Sequence, residues 1–121
     1  MSKRILVVED QEDNRQILRD LLGNAGYELI EAVDGEQALA AYAKQRPDLI
    51  LMDIQLPVLD GYETTRRIRT DPESKGIPII AVTSYALAGD EAKALAAGCD
   101  GYITKPYSPR ALLAKVREYL G

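Results

Sequence analysis

The sequence predicts a doubly wound α/β fold, in which a parallel sheet carries helices on both faces. Four short apolar runs each end in a reactive polar residue, and the segments between them are long enough for helices. The residues at these ends are Glu9-Asp10, Asp53, Thr83 and Lys105-Pro106. Parallel strands bring their carboxyl ends to one edge of an open sheet, so we expect these side chains to meet there.

Five strand–helix units follow one another along the chain. Strands are expected at residues 4–8, 28–32, 49–52, 79–82 and 101–104. Right-handed crossovers place helices on both faces of the sheet, and we expect the strand order 2-1-3-4-5, one of the two common orders of this class. Residues 1–121 are expected to form one domain with a real core.

The first two helices carry clear boundary patterns. Helix one is expected at residues 12–23, with an apolar face formed by Ile17, Leu18, Leu21 and Leu22. Asp34 is expected to cap helix two, with Gln37 at the capping-box position. This helix should end before Pro47.

The remaining helices are bounded by acidic caps, glycine and proline. Asp60 should cap helix three, with Glu63 at the box position, and this helix should end near Thr70. Helix four should begin between residues 86 and 90 and close at Gly98. Ser108 and Pro109 should open helix five. This last helix is expected to bury Leu112, Leu113, Val116 and Leu120.

Composition excludes several classes of protein. A net charge of −4 argues against a nucleic-acid binder, which usually needs a basic face. No apolar run approaches the roughly 20 residues of a membrane span. A single cysteine, Cys99, fits a reducing cytoplasm. Histidine is absent, which excludes His-based triads and a phosphohistidine carrier, so any phosphoryl donor must be another molecule.

The carboxylates at the strand ends predict a cation site. If strands one and three are neighbours, Glu9, Asp10 and Asp53 crowd together, and like charges at short range are costly unless a cation intervenes. Lys105 supplies one positive charge and leaves an excess of negative charge. Magnesium, which binds oxygen ligands, is the natural remedy.

Asp53 is the best candidate for a nucleophile. Carboxylates can form acyl phosphates, and phosphoryl transfer needs mainly positioning and neutralisation of the equatorial oxygens. A magnesium ion, the amine of Lys105 and the hydroxyl of Thr83 would each serve one of those oxygens. The sequence therefore favours phosphoryl transfer to Asp53.

Five segments together resemble the receiver domain of two-component response regulators, which has a flavodoxin-like fold. They are Val8-Glu9-Asp10, residues 51–57, Asp60-Gly61, residues 81–84 and residues 101–106. The resemblance covers essentially the whole chain, in order. It implies a phosphoacceptor at Asp53 and a protein that promotes its own phosphorylation and dephosphorylation without being a conventional enzyme.

The resemblance also implies the ligands of the metal. Asp10, Asp53 and the backbone carbonyl of Gln55 are expected to bind Mg²⁺, with Glu9 reaching it through water and Mn²⁺ as an acceptable substitute. Position 55, like Tyr85, is expected to influence how readily water reaches the acyl phosphate.

Further roles carried by the resemblance concern the switch. It implies Thr83 as the switch hydroxyl, Tyr102 as the switch aromatic and Lys105 as the amine that binds phosphate. It also implies a cis peptide bond between Lys105 and Pro106.

The expected partners are a histidine kinase or a histidine phosphotransferase, and a downstream protein. The phosphodonor should dock near the acidic pocket, and the output surface should be the face of helix four, strand five and helix five. We expect a monomer or a weak, phosphorylation-linked dimer. The proposed docking residues are Gln11, Asn14, Arg15, Leu18, Pro106 and Tyr107.

Because Gly121 ends the chain, we expect a stand-alone receiver, and residues 52–57 and 77–83 are most similar to DivK-type cell-cycle regulators. Alternatives are a receiver excised from a hybrid histidine kinase and a phosphate-independent pseudo-receiver. A pseudo-receiver should lack Asp53, Lys105 or Asp10, and none is missing. A flavodoxin-like electron carrier should have a Ser/Thr/Gly loop after strand one, where this sequence has Glu9-Asp10. An aspartate-nucleophile phosphatase should have a second Asp at position 55, where this sequence has Gln55.

Overall fold

Five parallel strands form one sheet in the computed structural model, which describes residues 2–84 and 89–120. The strands are β1 (Arg4–Val8), β2 (Glu28–Ala32), β3 (Leu49–Asp53), β4 (Ile79–Thr83) and β5 (Gly101–Thr104). Their order is β2-β1-β3-β4-β5, which confirms the predicted topology. Asp53 and Thr83 are the last residues of β3 and β4, one position beyond the predicted ends.

The helices connect the strands in sequence. They are α1 (Glu12–Asn24), α2 (Gly35–Lys44), α3 (Gly61–Arg69), α4 (Asp90–Ala97) and α5 (Pro109–Leu120). A short 3₁₀ helix at Pro72–Gly76, capped by the Asp71 side chain, was not predicted from the sequence. Residues 85–88, including Tyr85 and the earlier predicted starts of helix four, lie outside the described residues.

The predicted caps are present. Asp34 and Asp60 accept hydrogen bonds from the backbone N–H groups of Gln37 and Glu63, each at 2.8 Å. Ser108 Oγ accepts the N–H of Ala111 at 3.0 Å at the start of α5. A cap of this kind stabilises its helix by about 1 kcal/mol, so these short polar residues define where each helix begins.

Each face of the sheet has its own buried core. Successive residues of a strand point to opposite faces, so Leu6 and Val8 pack with α2, α3 and α4, whereas Ile5 and Val7 pack with α1 and α5. This two-sided burial explains why the three central strands, β1, β3 and β4, carry continuous apolar runs, whereas the edge strand β2 includes two glutamates. Among the described residues, no helix is both long and apolar enough to cross a membrane.

Two expectations about buried helix faces were wrong in part. Ile17 is 54% exposed, because the buried face of α1 is centred on Leu18 and Leu22, one helical turn apart. In α5, Leu112 and Val116 are fully buried and again lie four residues apart. Leu113 and Leu120 flank that face and are only partly buried.

Candidate functional site: a carboxylate cluster with one buried amine

Three carboxylates meet at the carboxyl-terminal edge of the sheet. Glu9 and Asp10 follow β1 directly, and Asp53 ends the neighbouring strand β3, where Val8 lies opposite Met52. One oxygen from each carboxylate lies within 4.8 Å of the others. Glu9 and Asp53 are buried and Asp10 is exposed, so the cluster predicted from the sequence is assembled here with its open side at Asp10.

The backbone of Asp53 is held by a close approach of α3. A Cβ atom at Gly61 would overlap the Asp53 carbonyl oxygen and the Cα atom of Ile54. The N–H of Gly61 also donates to the carbonyl of Ile54 at 3.0 Å. Only glycine permits this contact, which fixes the end of β3 against the start of α3.

Lys105 follows the edge strand β5, two strands away from β3, and its side chain extends to the cluster. Its Nζ donates to Glu9 Oε1 at 2.7 Å and to Asp53 Oδ2 at 3.3 Å. The sequence predicted an amine beside Asp53, and the structure places it there. The shorter of its two contacts, however, is to Glu9.

The two buried carboxylates have opposite pKa shifts. Burial, together with neighbouring Glu9, raises the pKa of Asp53 to about 7, although the N–H of Gln55 donates to Oδ1 at 3.0 Å and acts against the rise. Burial also acts to raise the pKa of Glu9, but its hydrogen bonds to Asp53 and Lys105 outweigh burial and lower that pKa to about 2. In the metal-free pair the negative charge therefore stays on Glu9, whereas Asp53 keeps its proton only below about pH 7.

The cluster suits a hard divalent cation. Burial and then the neighbouring Glu9 raise the pKa of Asp10, so ionisation of this carboxyl is opposed despite the positive charge of Lys105. Glu9 Oε2 is buried and has no hydrogen-bond partner among the described atoms. An orphaned carboxylate oxygen is costly to bury, and a set of carboxylate oxygens is the donor set that Mg²⁺ prefers. The residues present therefore fit the cation that the sequence predicted.

Thr83 and Tyr102 lie on the same face of the sheet. Thr83 ends β4 and is 3% exposed, and Tyr102 on β5 lies opposite Ala81, two residues before Thr83. Side chains two residues apart on a strand share a face, so the two residues are diagonal neighbours on adjacent strands. Tyr102 is half-buried against the core on the side of α3 and α4.

Arg15 braces the site instead of projecting from it. Its Nη1 donates to the backbone carbonyl of Glu9 at 2.9 Å, and its Nε lies 3.4 Å from Glu31. The side chain is only 12% exposed. Leu18, also predicted to dock a partner, is 5% exposed and belongs to the core, so that prediction was wrong.

A groove opens beside the cluster, between α1 and the connection from β5 to α5. Its cavity measures about 490 Å³, and the peptide bond between Lys105 and Pro106 at its wall is cis. It is lined by Asn14, Ile17, Ser84, Lys105, Pro106 and Tyr107. Sequence reasoning missed Ile17 and Ser84, because a helical apolar pattern assigned the first to the core.

A second cavity of about 360 Å³ connects the groove to the carboxylates. It is lined by Asp10, Gln11, Asn14, Asp53, Gln55, Ser84 and Lys105. Three of these residues also line the groove, so a molecule lying in the groove would face Asp53.

One class of signalling protein is defined by a parallel five-stranded sheet that carries acids at the ends of β1 and β3 and a lysine at the end of β5. Residues 5–117 match the family profile of the response regulator receiver domain. The chain belongs to this family of two-component systems.

Individual relatives narrow the comparison. The polar-differentiation response regulator DivK of Brucella anthropi is 45% identical over 121 residues, which are 100% of this chain and 98% of that protein. DivK of Brucella ovis is 44% identical with the same coverage. The chain is thus similar to DivK over its whole length.

Solved structures agree in fold. The receiver domain of the sensor histidine kinase PA1611 from Pseudomonas aeruginosa, which holds a magnesium ion in its active-site cleft, matches with a TM-score of 0.92 and 40% identity. That alignment covers 100% of this chain and 99% of the other. The chemotaxis response regulator CheY4 of Vibrio cholerae matches with a TM-score of 0.93 and 32% identity, covering 98% and 99% of the two chains.

Proposed function

We propose that the chain accepts a phosphoryl group on Asp53 from a histidine kinase or a histidine phosphotransferase. The observation that carries this proposal is the setting of Asp53. It is a buried carboxylate 3.3 Å from the ammonium of Lys105, clustered with two further acids, and it lines the second cavity, which adjoins the groove. Membership of the receiver family supports the same role.

The chemical step is a displacement at phosphorus. A carboxylate oxygen of ionised Asp53 forms the new O–P bond, while the bond between phosphorus and the donor's nitrogen or oxygen breaks and its electron pair leaves with the donor. The ammonium of Lys105 and the hydroxyl of Thr83 stabilise the charge on the equatorial oxygens. The N–H of Gln55 keeps the carboxylate of Asp53 oriented through Oδ1.

A magnesium ion would be held by Asp10, Asp53 and the backbone carbonyl of Gln55, with Glu9 beside it, and Mn²⁺ would serve in its place. When bound it supplies positive charge to the phosphoryl oxygens. The orphaned oxygen of Glu9 and the magnesium ion in the PA1611 receiver support this assignment.

The output is a two-state switch based on Thr83 and Tyr102. A phosphoryl group on Asp53 brings new charge and acceptor oxygens that can draw the Thr83 hydroxyl toward them. Since Tyr102 is its diagonal neighbour on the same face, a shift of Thr83 changes the space available to that ring. The face formed by α4, β5 and α5 would then signal to a downstream protein.

The phosphodonor must carry the histidine, since this chain has none. We assign its docking to the groove, with Gln11, Asn14, Pro106 and Tyr107 retained from the sequence prediction. Ile17 is added to them in place of Leu18, because it is 54% exposed at the groove. Arg15 acts indirectly, by supporting Glu9.

A second reading places this receiver beside a kinase, as in PA1611, whose receiver is 40% identical. The chemistry at Asp53 would be unchanged, and the donor would belong to the same polypeptide. Transfer from separately purified donors distinguishes the readings, because a kinase-linked receiver should strongly prefer one donor of its own.

The test of the proposed function is incorporation of phosphate. The chain should gain one phosphoryl group with Mg²⁺ and a small-molecule phosphodonor, as measured by intact mass. The gain should vanish in Asp53→Asn and without Mg²⁺. Asp13→Asn, a matched change at an exposed position of α1, should behave as wild type. Equal incorporation in Asp53→Asn would refute the assignment and favour another acceptor, while no incorporation in any variant would favour a pseudo-receiver.

A further inference from the structure

The two carboxylates beside Lys105 are not equivalent partners for it. Nζ lies 2.7 Å from Glu9 Oε1 and 3.3 Å from Asp53 Oδ2. The side chains of Lys105, Glu9 and Asp53 are 19%, 3% and 7% exposed, so little water competes for these contacts. Charge-assisted hydrogen bonds are strongest when short, and the contact to Glu9 is therefore the stronger one.

Glu9 is fixed in place from two sides. Its N–H donates to the carbonyl of Ala32 on β2 at 3.0 Å, and its own carbonyl accepts Nη1 of Arg15 at 2.9 Å. Arg15 is itself held by ion pairs with Glu12 and Glu31. The backbone that carries the Glu9 carboxylate is therefore braced, so that Lys105 can move away more easily than Glu9 can follow it.

We propose that Glu9 is the resting partner of Lys105 and a positioning residue for phosphoryl transfer. The proposal rests on the proposed function of Asp53. In the resting chain Glu9 holds the ammonium, and a phosphoryl group on Asp53 must draw it away. Glu9 then loses its short hydrogen bond, which opposes retention of the phosphoryl group. Glu9 thus limits how tightly the site holds that group, by acting through Lys105.

The resting pair can be tested without any phosphodonor. An ammonium held in a short hydrogen bond should give an observable ¹H–¹⁵N correlation at low temperature, assigned by its loss in Lys105→Arg. Glu9→Gln and Asp53→Asn form a matched pair, since each replaces one carboxylate by its amide. We expect the correlation to be lost in Glu9→Gln and retained in Asp53→Asn. Retention in Glu9→Gln with loss in Asp53→Asn would overturn the proposal.

The consequence for the phosphoryl site is tested with beryllofluoride at saturating Mg²⁺, with metal affinity measured separately for each variant. Glu9→Gln should bind beryllofluoride about tenfold more tightly than wild type, the scale of one charge-assisted hydrogen bond. Glu9→Asp keeps the negative charge, but its side chain is one methylene shorter, which weakens the contact with Lys105. Tighter binding of beryllofluoride by Glu9→Asp would therefore result from the lost Lys105 contact and not from a lost charge.

Unchanged or weaker binding in Glu9→Gln, or wild-type binding in Glu9→Asp, contradicts the positioning role. Failure of the proposed function looks different. Wild type would then not bind beryllofluoride at all, which removes the phosphoryl half of this proposal, whereas the ammonium correlations would still report the pairing.

Discussion

The two edges of the sheet differ in how completely their charged side chains are hydrogen-bonded. At the amino-terminal edge, the guanidinium of Arg69 donates to the carbonyls of Gly98 and Ile77, each at 2.9 Å, and to Asp100 Oδ2 at 2.7 Å. At the carboxyl-terminal edge, three carboxylates lie together, two of them contact Lys105, and Glu9 Oε2 has no partner among the described atoms. A satisfied network stabilises the fold, whereas an unsatisfied one is a site prepared for a ligand.

Asp100 extends the network at the amino-terminal edge to two other elements, β4 and α5. Its Oδ2 also accepts the N–H of Ile79 at 2.9 Å, and its carbonyl accepts the hydroxyl of Tyr119 at 2.9 Å. Arg69 packs against Gly98, where a Cβ atom would overlap its side chain. The ends of α3, α4 and α5 and the starts of β4 and β5 are thereby joined, which stabilises the fold at this edge.

The largest expected effect is at the satisfied edge. Arg69→Ala should lower the free energy of unfolding by about 3 kcal/mol, because the part-buried backbone carbonyls of Gly98, Ser74 and Ile77 lose their donor. Urea unfolding measures this change. Arg66→Ala removes an exposed arginine of the same helix that forms a surface ion pair with Glu63, and should cost at most about 0.5 kcal/mol. Similar losses in the two variants would erase the contrast between the edges.

Asp53→Asn should change the free energy of unfolding in the opposite direction. Without metal at about pH 8, it removes one of several crowded charges and should raise the free energy of unfolding by about 1–2 kcal/mol. Added Mg²⁺ should stabilise wild type and leave the variant nearly unchanged. A destabilised Asp53→Asn protein in the absence of metal would show that this edge is not strained by its charge.

The pH dependence of the metal-free chain follows from the same residue. The folded-state pKa of Asp53 is about 7, above its ordinary value of 3.8. The folded chain therefore keeps a proton that the unfolded chain loses, and this contribution to stability is complete below about pH 4 and lost as the pH rises through about 7. The pKa of Glu9 is lowered from 4.5 to about 2. Glu9 therefore contributes stability above about pH 4.5, and this contribution is lost as the pH falls toward 2.

Magnesium competes with the proton on Asp53. Between about pH 8 and about pH 6 the apparent affinity should fall about tenfold, as the fraction of ionised Asp53 falls. Calorimetric titration at several pH values provides the measurement. An affinity that stays flat over this range would mean that Asp53 remains ionised, and its pKa lies well below 7.

The candidate site was predictable from the sequence to the extent that it depends on strand ends. Each of its main side chains follows or ends an apolar run, namely Glu9, Asp53, Thr83 and Lys105. The strand order β2-β1-β3-β4-β5 brings these side chains to one edge of the sheet. The network around Arg69 was not predicted. Most of its acceptors are backbone carbonyls, which carry no residue-specific pattern in a sequence.

Local sequence by itself determined the five strands and the five α-helices of this protein, although not the short 3₁₀ helix at Pro72–Gly76. Apolar runs marked the strands, Asp34, Asp60 and Ser108 marked the helix starts, and these features act within a few residues of the chain. The rotation of α1, which buries Leu18 and exposes Ile17, was decided by packing on the sheet. The partner of Lys105 was decided by strand order and register, because Glu9 lies 96 residues away in sequence and meets the ammonium only in the folded sheet.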